Sequence, residues 1–178
     1  GFFVNVREKS YRELLLRWFE WATFCPVLRM HGDKEPCDEA PLDEREWGGG
    51  FCHTGLPNEL WSFGEDVCAV LKSYVDLRVK MKPYLKEVMR EASENGSPVM
   101  RAMFYEFPED EACWAADDQY MFGPKYLVAP VLWEAMTRRN VYLPAGRWRD
   151  LNSGEVLAGG QTVTADAPVE VIPVYERL

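Results

Sequence analysis

The sequence predicts an α/β segment that is followed by an antiparallel β domain. Apolar residues at helical spacing alternate with short strand-like apolar runs up to about residue 107, which is the order of a βαβ unit. From about residue 123, short runs of β-forming residues alternate with turn residues, and no helical period intervenes. That second pattern is typical of an antiparallel sheet. The change between the two patterns falls within residues 108–124.

The first predicted element is a helix that begins at Ser10 and ends before Pro26. Ser10 and Glu13 have the spacing of a capping box, and apolar residues recur at helical intervals from Leu14 to Ala22. Pro26 disfavours a continuing helix because the residue before a proline is pushed out of the helical region. The short apolar run 27–30 then predicts a buried strand.

A long irregular stretch, residues 33–62, follows this strand. It contains several prolines and the triple glycine 48–50. About 30 residues without periodicity are unusual in a compact domain and indicate either function or disorder. The triple glycine is not followed by Lys and Ser or Thr, so the stretch is not a phosphate-binding loop.

The second predicted helix begins at the capping box of Ser62 and Glu65 and is the longest in the chain. Its apolar stripe runs from Val67 to Ala92, with a kink expected at Pro83. Asn95-Gly96 is a typical helix end.

A strand is predicted over residues 98–107, which are nearly all apolar. Strands that are apolar on both faces are typical of a parallel sheet covered by helices. We therefore expect residues 27–30 and 99–107 to form neighbouring parallel strands joined by a right-handed crossover.

The antiparallel part is predicted to hold five short strands separated by Pro-, Gly- and Asn-containing turns. They are residues 126–129, 140–143, 147–151, 161–164 and 169–175.

Composition excludes several classes of protein. The chain has 178 residues and 47% hydrophobic residues, so it can bury a core, but it is shorter than the roughly 250 residues of a complete (β/α)8 barrel. The net charge of -9 disfavours nucleic-acid binding. No apolar run approaches the roughly 18 residues of a membrane span, and no signal peptide is found at Gly1.

The five cysteines are odd in number and contain no CxxC pair, which argues against a disulfide framework. A reducing compartment fits best, so we predict a cytoplasmic location. Cys37, Cys52 and His53 could be imagined as zinc ligands, but a structural zinc site needs four ligands in tight pairs. We predict no metal and no cofactor, and a zinc-stabilised module remains an alternative.

Judged from the local sequence alone, the best candidate site is the end of the first predicted strand, Arg29 to Asp33. It places a cation, an imidazole and a carboxylate within five residues beside a glycine, and chemistry in α/β folds lies at the carboxyl ends of strands. His31 can donate to a hydroxyl or carry a proton near neutral pH. Sugar hydrolysis usually needs two carboxylates, yet the spacing of the available acids marks no pair. Those acids are Asp33, Glu35, Asp117 and Asp118.

Residues 17–32, RWFEWATFCPVLRMHG, resemble the late-barrel segment of glycoside hydrolase family 31, which holds α-glucosidases and α-xylosidases. Further matches follow in the family's order over nearly the whole chain. They are Trp61-Ser-Phe-Gly64, Gly96-Ser-Pro-Val-Met-Arg101, Glu106-Phe-Pro-Glu-Asp110, Asp118-Gln-Tyr-Met-Phe-Gly123, Leu127-Val-Ala-Pro-Val131 and Val141-Tyr-Leu-Pro-Ala-Gly-Arg-Trp148.

The resemblance implies a (β/α)8 barrel followed by β-sandwich domains. Residues 1–115 would be the C-terminal part of the barrel and residues 116–178 the proximal C-terminal β-sandwich. The missing N-terminal part of the barrel would be a partner. The activity implied is that of a retaining, exo-acting α-glycosidase that cleaves terminal α-linked sugars from an oligosaccharide or glycoside, with α-glucosidase slightly favoured over α-xylosidase.

The resemblance also implies roles for three residues. His31 matches a family histidine that contacts sugar hydroxyls, Arg29 matches an arginine beside the site, and Phe2 matches a phenylalanine that lines the same subsite. Both catalytic aspartates of the family lie on barrel loops before this segment, so no residue here inherits a catalytic role and the chain alone is expected to be inactive.

Two departures from the family pattern are Ala102, where a proline is common, and the long loop 33–60. The alternative function is a non-catalytic carbohydrate-binding or structural module. It would place the strand before His31 in an antiparallel sheet.

Overall fold

A computed structural model of the chain describes residues 9–30, 33–34, 56–57 and 59–178. The helices are α1 (Lys9–Thr23), α2 (Glu65–Lys80), α3 (Lys82–Asn95), α4 (Met103–Glu106) and α5 (Glu111–Ala115), with a 3-10 turn over Leu60–Phe63. The strands are β1 (Asp33–Lys34), β2 (Leu56–Pro57), β3 (Met100–Ala102), β4 (Tyr120–Phe122), β5 (Tyr126–Val128), β6 (Arg138–Leu143), β7 (Arg147–Asp150), β8 (Val156–Ala158), β9 (Gln161–Asp166) and β10 (Val174–Arg177).

Every strand pair among the described residues is antiparallel. Six strands form one sheet in the order β3-β4-β5-β10-β7-β8, while β6 and β9 form a ladder of their own and β1 pairs with β2. Helices followed by antiparallel sheets confirm the predicted order of an α/β segment and then an antiparallel β domain.

The six-stranded sheet is covered on both faces. Successive residues of a strand point to opposite faces, and Phe122 and Val128 pack with the three long helices. Their neighbours Met121 and Leu127 pack instead with residues of the β6–β9 ladder. The largest fully buried side chain in this second core is Trp148 of β7. The sheet therefore holds the helices and the outer ladder together as three layers.

The predicted break in the long helix is confirmed. Met81 separates α2 from α3, and Pro83 lies in the first turn of α3, where its missing N–H is not needed. Gly96 ends α3 in the left-handed region with φ 78°, and its N–H donates to the carbonyl of Ala92. The predicted cap at Ser62 is wrong, because Ser62 lies in the 3-10 turn, its hydroxyl bonds to Glu59, and α2 begins only at Glu65.

The predicted parallel strand pair is wrong. Residues 27–30 form a coil rather than a strand, and Val27 is 72% exposed. The predicted strand over 98–107 is reduced to β3, which pairs antiparallel with β4, and the apolar residues after it turn into α4. Apolar runs of this length do not distinguish strand from helix. Phe104 in this run is exposed, so an apolar residue here does not indicate a buried position.

Within the β domain, four of the five predicted strands are confirmed in place as β5, β6, β7 and β9. The fifth prediction, 169–175, is wrong over most of its length because β10 begins at Val174. The strands β4 and β8 were not predicted. The domain boundary at 115/116 stays a prediction, and the six-stranded sheet takes strands from both sides of it.

Candidate functional site

Arg29 lies in the coil that follows α1, residues 24–30, and neighbouring elements hold this coil in place. Arg78 of α2 donates one guanidinium hydrogen bond to the carbonyl of Thr23 at 2.6 Å and another to the carbonyl of Pro26 at 2.8 Å. The last carbonyls of a helix have no partner within the helix, so Arg78 satisfies the end of α1. It also fixes the direction in which the chain leaves that helix.

A second anchor comes from the β domain. The hydroxyl of Tyr120 in β4 donates to the carbonyl of Phe24 at 3.0 Å, and the Phe24 ring packs edge-on against Phe122 at 6.1 Å between centroids. Burial raises the pKa of the Tyr120 phenol, with a smaller contribution from Cys25. The phenol therefore stays a neutral donor, and the coil is attached to both the helices and the sheet.

The coil alternates between inward and outward side chains. Leu28 and Met30 pack against the core that α1, α2 and α3 share, whereas Val27 and Arg29 are exposed. Because successive side chains of an extended segment point in opposite directions, the inward pair directs Arg29 outward. This residue is thus presented on the surface by a fixed backbone.

Cys25, in the same coil, is a structural thiol. Burial raises its pKa to about 11 despite the opposing effect of Arg78, and its Sγ lies 3.5 Å from the carbonyl oxygen of Trp21. Only a thiolate is an effective nucleophile, so Cys25, which stays protonated at neutral pH, is a weak nucleophile.

Of the three predicted site residues, only Arg29 is among the described residues. His31 and Phe2 lie outside them, as do Cys37, Cys52 and His53. The roles of His31, Arg29 and Phe2 therefore stay predictions. In the part of the chain that the structure describes, no group of three or more His, Cys, Asp or Glu side chains could hold a metal ion, and no helix is long and apolar enough to cross a membrane.

Asp118, one of the acids considered for sugar cleavage, has a structural partner. Its carboxylate lies 2.9 Å from the guanidinium of Arg139, which is 6% exposed and also donates to the Asp118 carbonyl at 2.9 Å. Asp117 is exposed beside it, and Glu35 lies outside the described residues. Of the acids considered for sugar cleavage, Asp118 is therefore held in an ion pair with Arg139.

Sequence reasoning missed a buried pair of ionisable side chains inside α1, Arg17 and Glu20. Arg17 is 8% exposed, and its guanidinium donates four hydrogen bonds to backbone carbonyls of the β domain. The acceptors are Pro168 (2.9 Å), Val171 (3.1 Å), Met136 (3.0 Å) and Ala167 (2.8 Å). Arg17 thus joins the helical segment to residues 119 to 154 positions later in the chain.

The partner of Arg17 is Glu20, one turn along α1. Their charged atoms lie 3.4 Å apart and Glu20 is 1% exposed. Burial raises the pKa of Glu20 to about 8, and Arg17 opposes this only in part. Two opposite charges three residues apart within the apolar run from Leu14 to Ala22 were the available sequence signal, because charged residues on an apolar face are rarely buried unpaired.

Comparison with known proteins places the chain in a family. A protein-family model described as the TIM-barrel domain of glycosyl hydrolases family 31 matches residues 1–88. A second model, described as the C-terminal domain of glycosyl hydrolase family 31, matches residues 96–178. Together they include most of the chain, and they meet near the end of α3.

Two curated relatives have similar identity to the chain. An alpha-xylosidase of Saccharolobus solfataricus is 34% identical over 99% of this chain and 22% of its own length. Alpha-glucosidase 2 of Bacillus thermoamyloliquefaciens is 35% identical over 92% of this chain and 18% of its own length. The chain therefore spans about a fifth of the length of these relatives.

A solved structure is more similar still. The GH31 alpha-xylosidase from a soil metagenome, in complex with xylose, is 46% identical with a TM-score of 0.89. The match includes 99% of this chain and 26% of that one.

Proposed function

The chain belongs to glycoside hydrolase family 31, and on that premise we propose that it is part of a retaining, exo-acting α-glycosidase of the α-glucosidase or α-xylosidase type. In this proposal it supplies part of the sugar subsite and neither catalytic carboxylate. The substrate is an oligosaccharide or glycoside with a terminal α-linked sugar, and the partner is the remainder of the barrel.

The anchored coil that carries Arg29 supports this proposal most directly. Arg78 and Tyr120 hold its backbone from two different elements, with distances of 2.6–3.0 Å. A sugar subsite needs side chains held within a fraction of an ångström of their working positions. A coil fixed in this way meets that need for Arg29.

His31 is proposed to donate or accept hydrogen bonds with sugar hydroxyls, with Arg29 beside it and Phe2 against the sugar ring. Retaining hydrolysis passes through an oxocarbenium-like transition state, and hydrogen bonds to hydroxyls strengthen as that charge develops. The histidine would therefore act by stabilising the transition state. The two carboxyl groups that this reaction needs, about 5 Å apart, would come from the barrel loops that precede this segment in the family.

Of the two curated relatives described above, the one that is 34% identical to this chain is named an alpha-xylosidase, and the one that is 35% identical is named an alpha-glucosidase. Both activities therefore stay within the proposal. A non-catalytic carbohydrate-binding module is less well supported, because residues 1–88 match the TIM-barrel domain of the family. A cytoplasmic location is also proposed, and it suits the free thiols of Cys25, Cys68 and Cys113.

The proposal is tested in the full-length parent enzyme with His31→Ala. We expect kcat/KM for aryl α-glucosides or α-xylosides to fall about 10²-fold or more, with kcat affected more than KM, because the lost contact is strongest in the transition state. His53→Ala is the matched control and should change kcat/KM less than about twofold. Unchanged kinetics in a folded His31→Ala enzyme would refute the role of His31.

A further inference from the structure

A pocket of about 360 Å³ lies between the first turns of α1 and the loop over residues 131–134. Ligand sites in proteins begin at about this volume. Tyr11, Glu13 and Arg17 line the helical wall, and Trp133 and Glu134 line the other wall. An α-helix rises 1.5 Å per residue, so this end of α1 is about 20 Å from the coil that carries Arg29.

Two hydrogen bonds fix the walls relative to each other. The backbone N–H of Ala135 donates to a Glu13 carboxylate oxygen at 2.9 Å, and the Arg17 guanidinium donates to the Met136 carbonyl at 3.0 Å. Ala135 has φ 60°, a left-handed conformation that residues other than glycine adopt uncommonly. A strained conformation persists only when the surroundings hold it, so the loop is shaped before any ligand arrives.

The lining combines the aliphatic side chains of Leu14, Val131 and Leu132 and one large exposed ring with a few groups that accept hydrogen bonds. The Trp133 side chain is 73% exposed although it lines a concave surface. Each ionised carboxylate accepts hydrogen bonds only, and Glu13 keeps one oxygen beyond its bond to Ala135. An indole face beside carboxylates offers a flat apolar surface with polar partners at its edge, which matches a ring bearing hydroxyl groups.

The charges at the pocket favour an uncharged ligand. The two carboxylates of Glu13 and Glu134 repel an anion, while the buried guanidinium of Arg17 lies in the same wall and opposes a cation. A neutral polyol is free of both penalties, and its hydroxyls can donate to the carboxylates and accept from other donors.

We propose that this pocket binds one pyranose ring of an uncharged sugar, with the ring against the Trp133 indole and its hydroxyls donating to Glu13 and Glu134. This site goes beyond the proposed function, since it needs neither His31 nor the catalytic carboxylates. Binding to the isolated chain tests it without any measurement of hydrolysis, so its failure leaves the proposed function untouched.

The experiment titrates methyl α-D-glucopyranoside into the ¹⁵N-labelled 178-residue chain and follows the indole N–H resonances. The Trp133 resonance is assigned by its absence from the spectrum of Trp133→Ala. We expect it to shift and saturate with a Kd of about 10 mM, in the range of a small ligand in an open pocket.

Variants then locate the binding. Trp133→Ala, followed through the backbone N–H resonances of residues 131–135 because its indole signal is lost, should weaken Kd about fivefold through the loss of ring contact. Glu134→Gln should weaken it about tenfold through the loss of a charge-assisted hydrogen bond. Trp114→Ala is the matched control: Trp114 is 61% exposed but does not line the pocket, so Kd should not change. Trp133 and Glu134 are exposed, so both variants should keep the fold, which their spectra will verify.

Two charged probes examine the ligand class. Choline and methyl α-D-glucuronide should both bind more weakly than the glucoside, because each carries a charge that one wall opposes. A tighter complex with either probe would overturn the assignment to an uncharged sugar. The proposal is equally refuted if the Trp133 resonance does not shift, or if Trp133→Ala and Trp114→Ala weaken binding to the same extent.

Discussion

At the scale of single residues, the buried Arg17 and the half-buried Arg78 determine how the helical segment meets its surroundings. Arg17 donates to four carbonyls of the β domain, and Arg78 donates to two carbonyls at the end of α1. A guanidinium carries five donors in a fixed planar arrangement, so one side chain can satisfy several backbone oxygens that have no partner in regular structure. Lysine could not replace either residue without loss, since it is a compact charge on a flexible stem.

Arg78→Ala should destabilise the chain by about 2–3 kcal/mol, because it leaves the carbonyls of Thr23 and Pro26 without their donors in a partly buried setting. Urea unfolding followed by circular dichroism measures the change. Lys72→Ala is the control, because Lys72 is 71% exposed and its ion pair with Asp76 is a surface pair, worth at most about 0.5 kcal/mol. An Arg78→Ala variant as stable as Lys72→Ala would show that the coil is held in another way.

Glu20 makes the stability depend on pH. Burial raises its pKa from the ordinary 4.5 to about 8, while Arg17 lowers it and Glu170 raises it slightly. Between these values the folded state binds more protons than the unfolded state, so the free energy of unfolding should fall as pH rises from about 4.5 to about 8. The expected loss is on the order of a few kcal/mol, since one pKa unit corresponds to about 1.4 kcal/mol.

Glu20→Gln removes this titration, so the difference in stability between the variant and the wild type should grow in favour of the variant as pH rises through that window. The free energy of unfolding at pH 5, 6.5 and 8 tests this expectation. Glu109→Gln, at an exposed position, should show a constant difference. A constant difference for Glu20→Gln as well would mean that Glu20 is ionised in the fold.

At the scale of elements, the contact of α3 with the β4–β5 hairpin joins the helices to the sheet. Tyr84 of α3 donates its hydroxyl hydrogen to the Phe122 carbonyl at 2.8 Å and accepts from the Lys125 N–H at 3.2 Å. Its ring also packs edge-on against Tyr126 at 5.0 Å between centroids. Burial raises the pKa of Tyr84 above its ordinary value, so the phenol stays protonated and keeps its donor.

Gly123 lies in the turn of this hairpin and leaves room for Tyr84. Its φ is 59°, and a Cβ there would overlap the Tyr84 hydroxyl and lie 2.8 Å from a Val88 methyl. Gly123→Ala should therefore cost about 3 kcal/mol, from backbone strain together with displacement of α3.

Gly96→Ala is the matched comparison for Gly123→Ala, because Gly96 also has a positive φ, 78°, but a Cβ there would meet nothing within 4 Å. It should cost only the backbone strain, about 1 kcal/mol. Thermal unfolding of both variants separates the two effects. Equal losses would mean that the close approach to Tyr84 relaxes at no cost.

At the scale of the whole molecule, the chain combines a well-packed β domain with helices that leave large apolar side chains exposed. Trp18 and Trp21 of α1 are 59% and 37% exposed. They lie at positions i and i+3 on one face of the helix, and Leu14, one turn before Trp18, lines the pocket described above. The opposite face of α1, with Leu16 and Phe19, packs in the core. A helix that is apolar on both faces is typical of the interior of a larger core. This agrees with the finding that the chain spans only about a fifth of the length of the two curated relatives described above.

The 178-residue chain alone should hydrolyse no glycoside. The resemblance to family 31 implies that both catalytic aspartates lie on loops before this segment, and Asp118, one of the acids considered for sugar cleavage, is held in an ion pair with Arg139. Retaining hydrolysis needs two carboxyl groups about 5 Å apart. Incubation of the purified chain with aryl α-glucoside and aryl α-xyloside measures this directly. Turnover that survives repurification and is abolished by a substitution within residues 1–178 would show that the carboxylates lie in this chain.

The sequence by itself determined the features that depend on local geometry. Pro83 and Gly96 fix the break and the end of the long helices through their own backbone restrictions, and turn residues separate the antiparallel strands. Motifs such as RWFEWATFCPVLRMHG, occurring in a fixed order along the chain, identified the family. Such a series of matches is specific by itself and can be recognised without knowing any tertiary contact.

Only the tertiary structure decided which apolar segments are buried and how. Residues 27–30 and 103–106 are apolar in sequence, yet they form a coil and a short helix, because strand formation needs a partner with free N–H and C=O groups. The burial of Arg17 and Glu20 likewise depends on carbonyls about 150 residues away. Burial and pairing are properties of contacts between distant parts of the chain, and no local period encodes them.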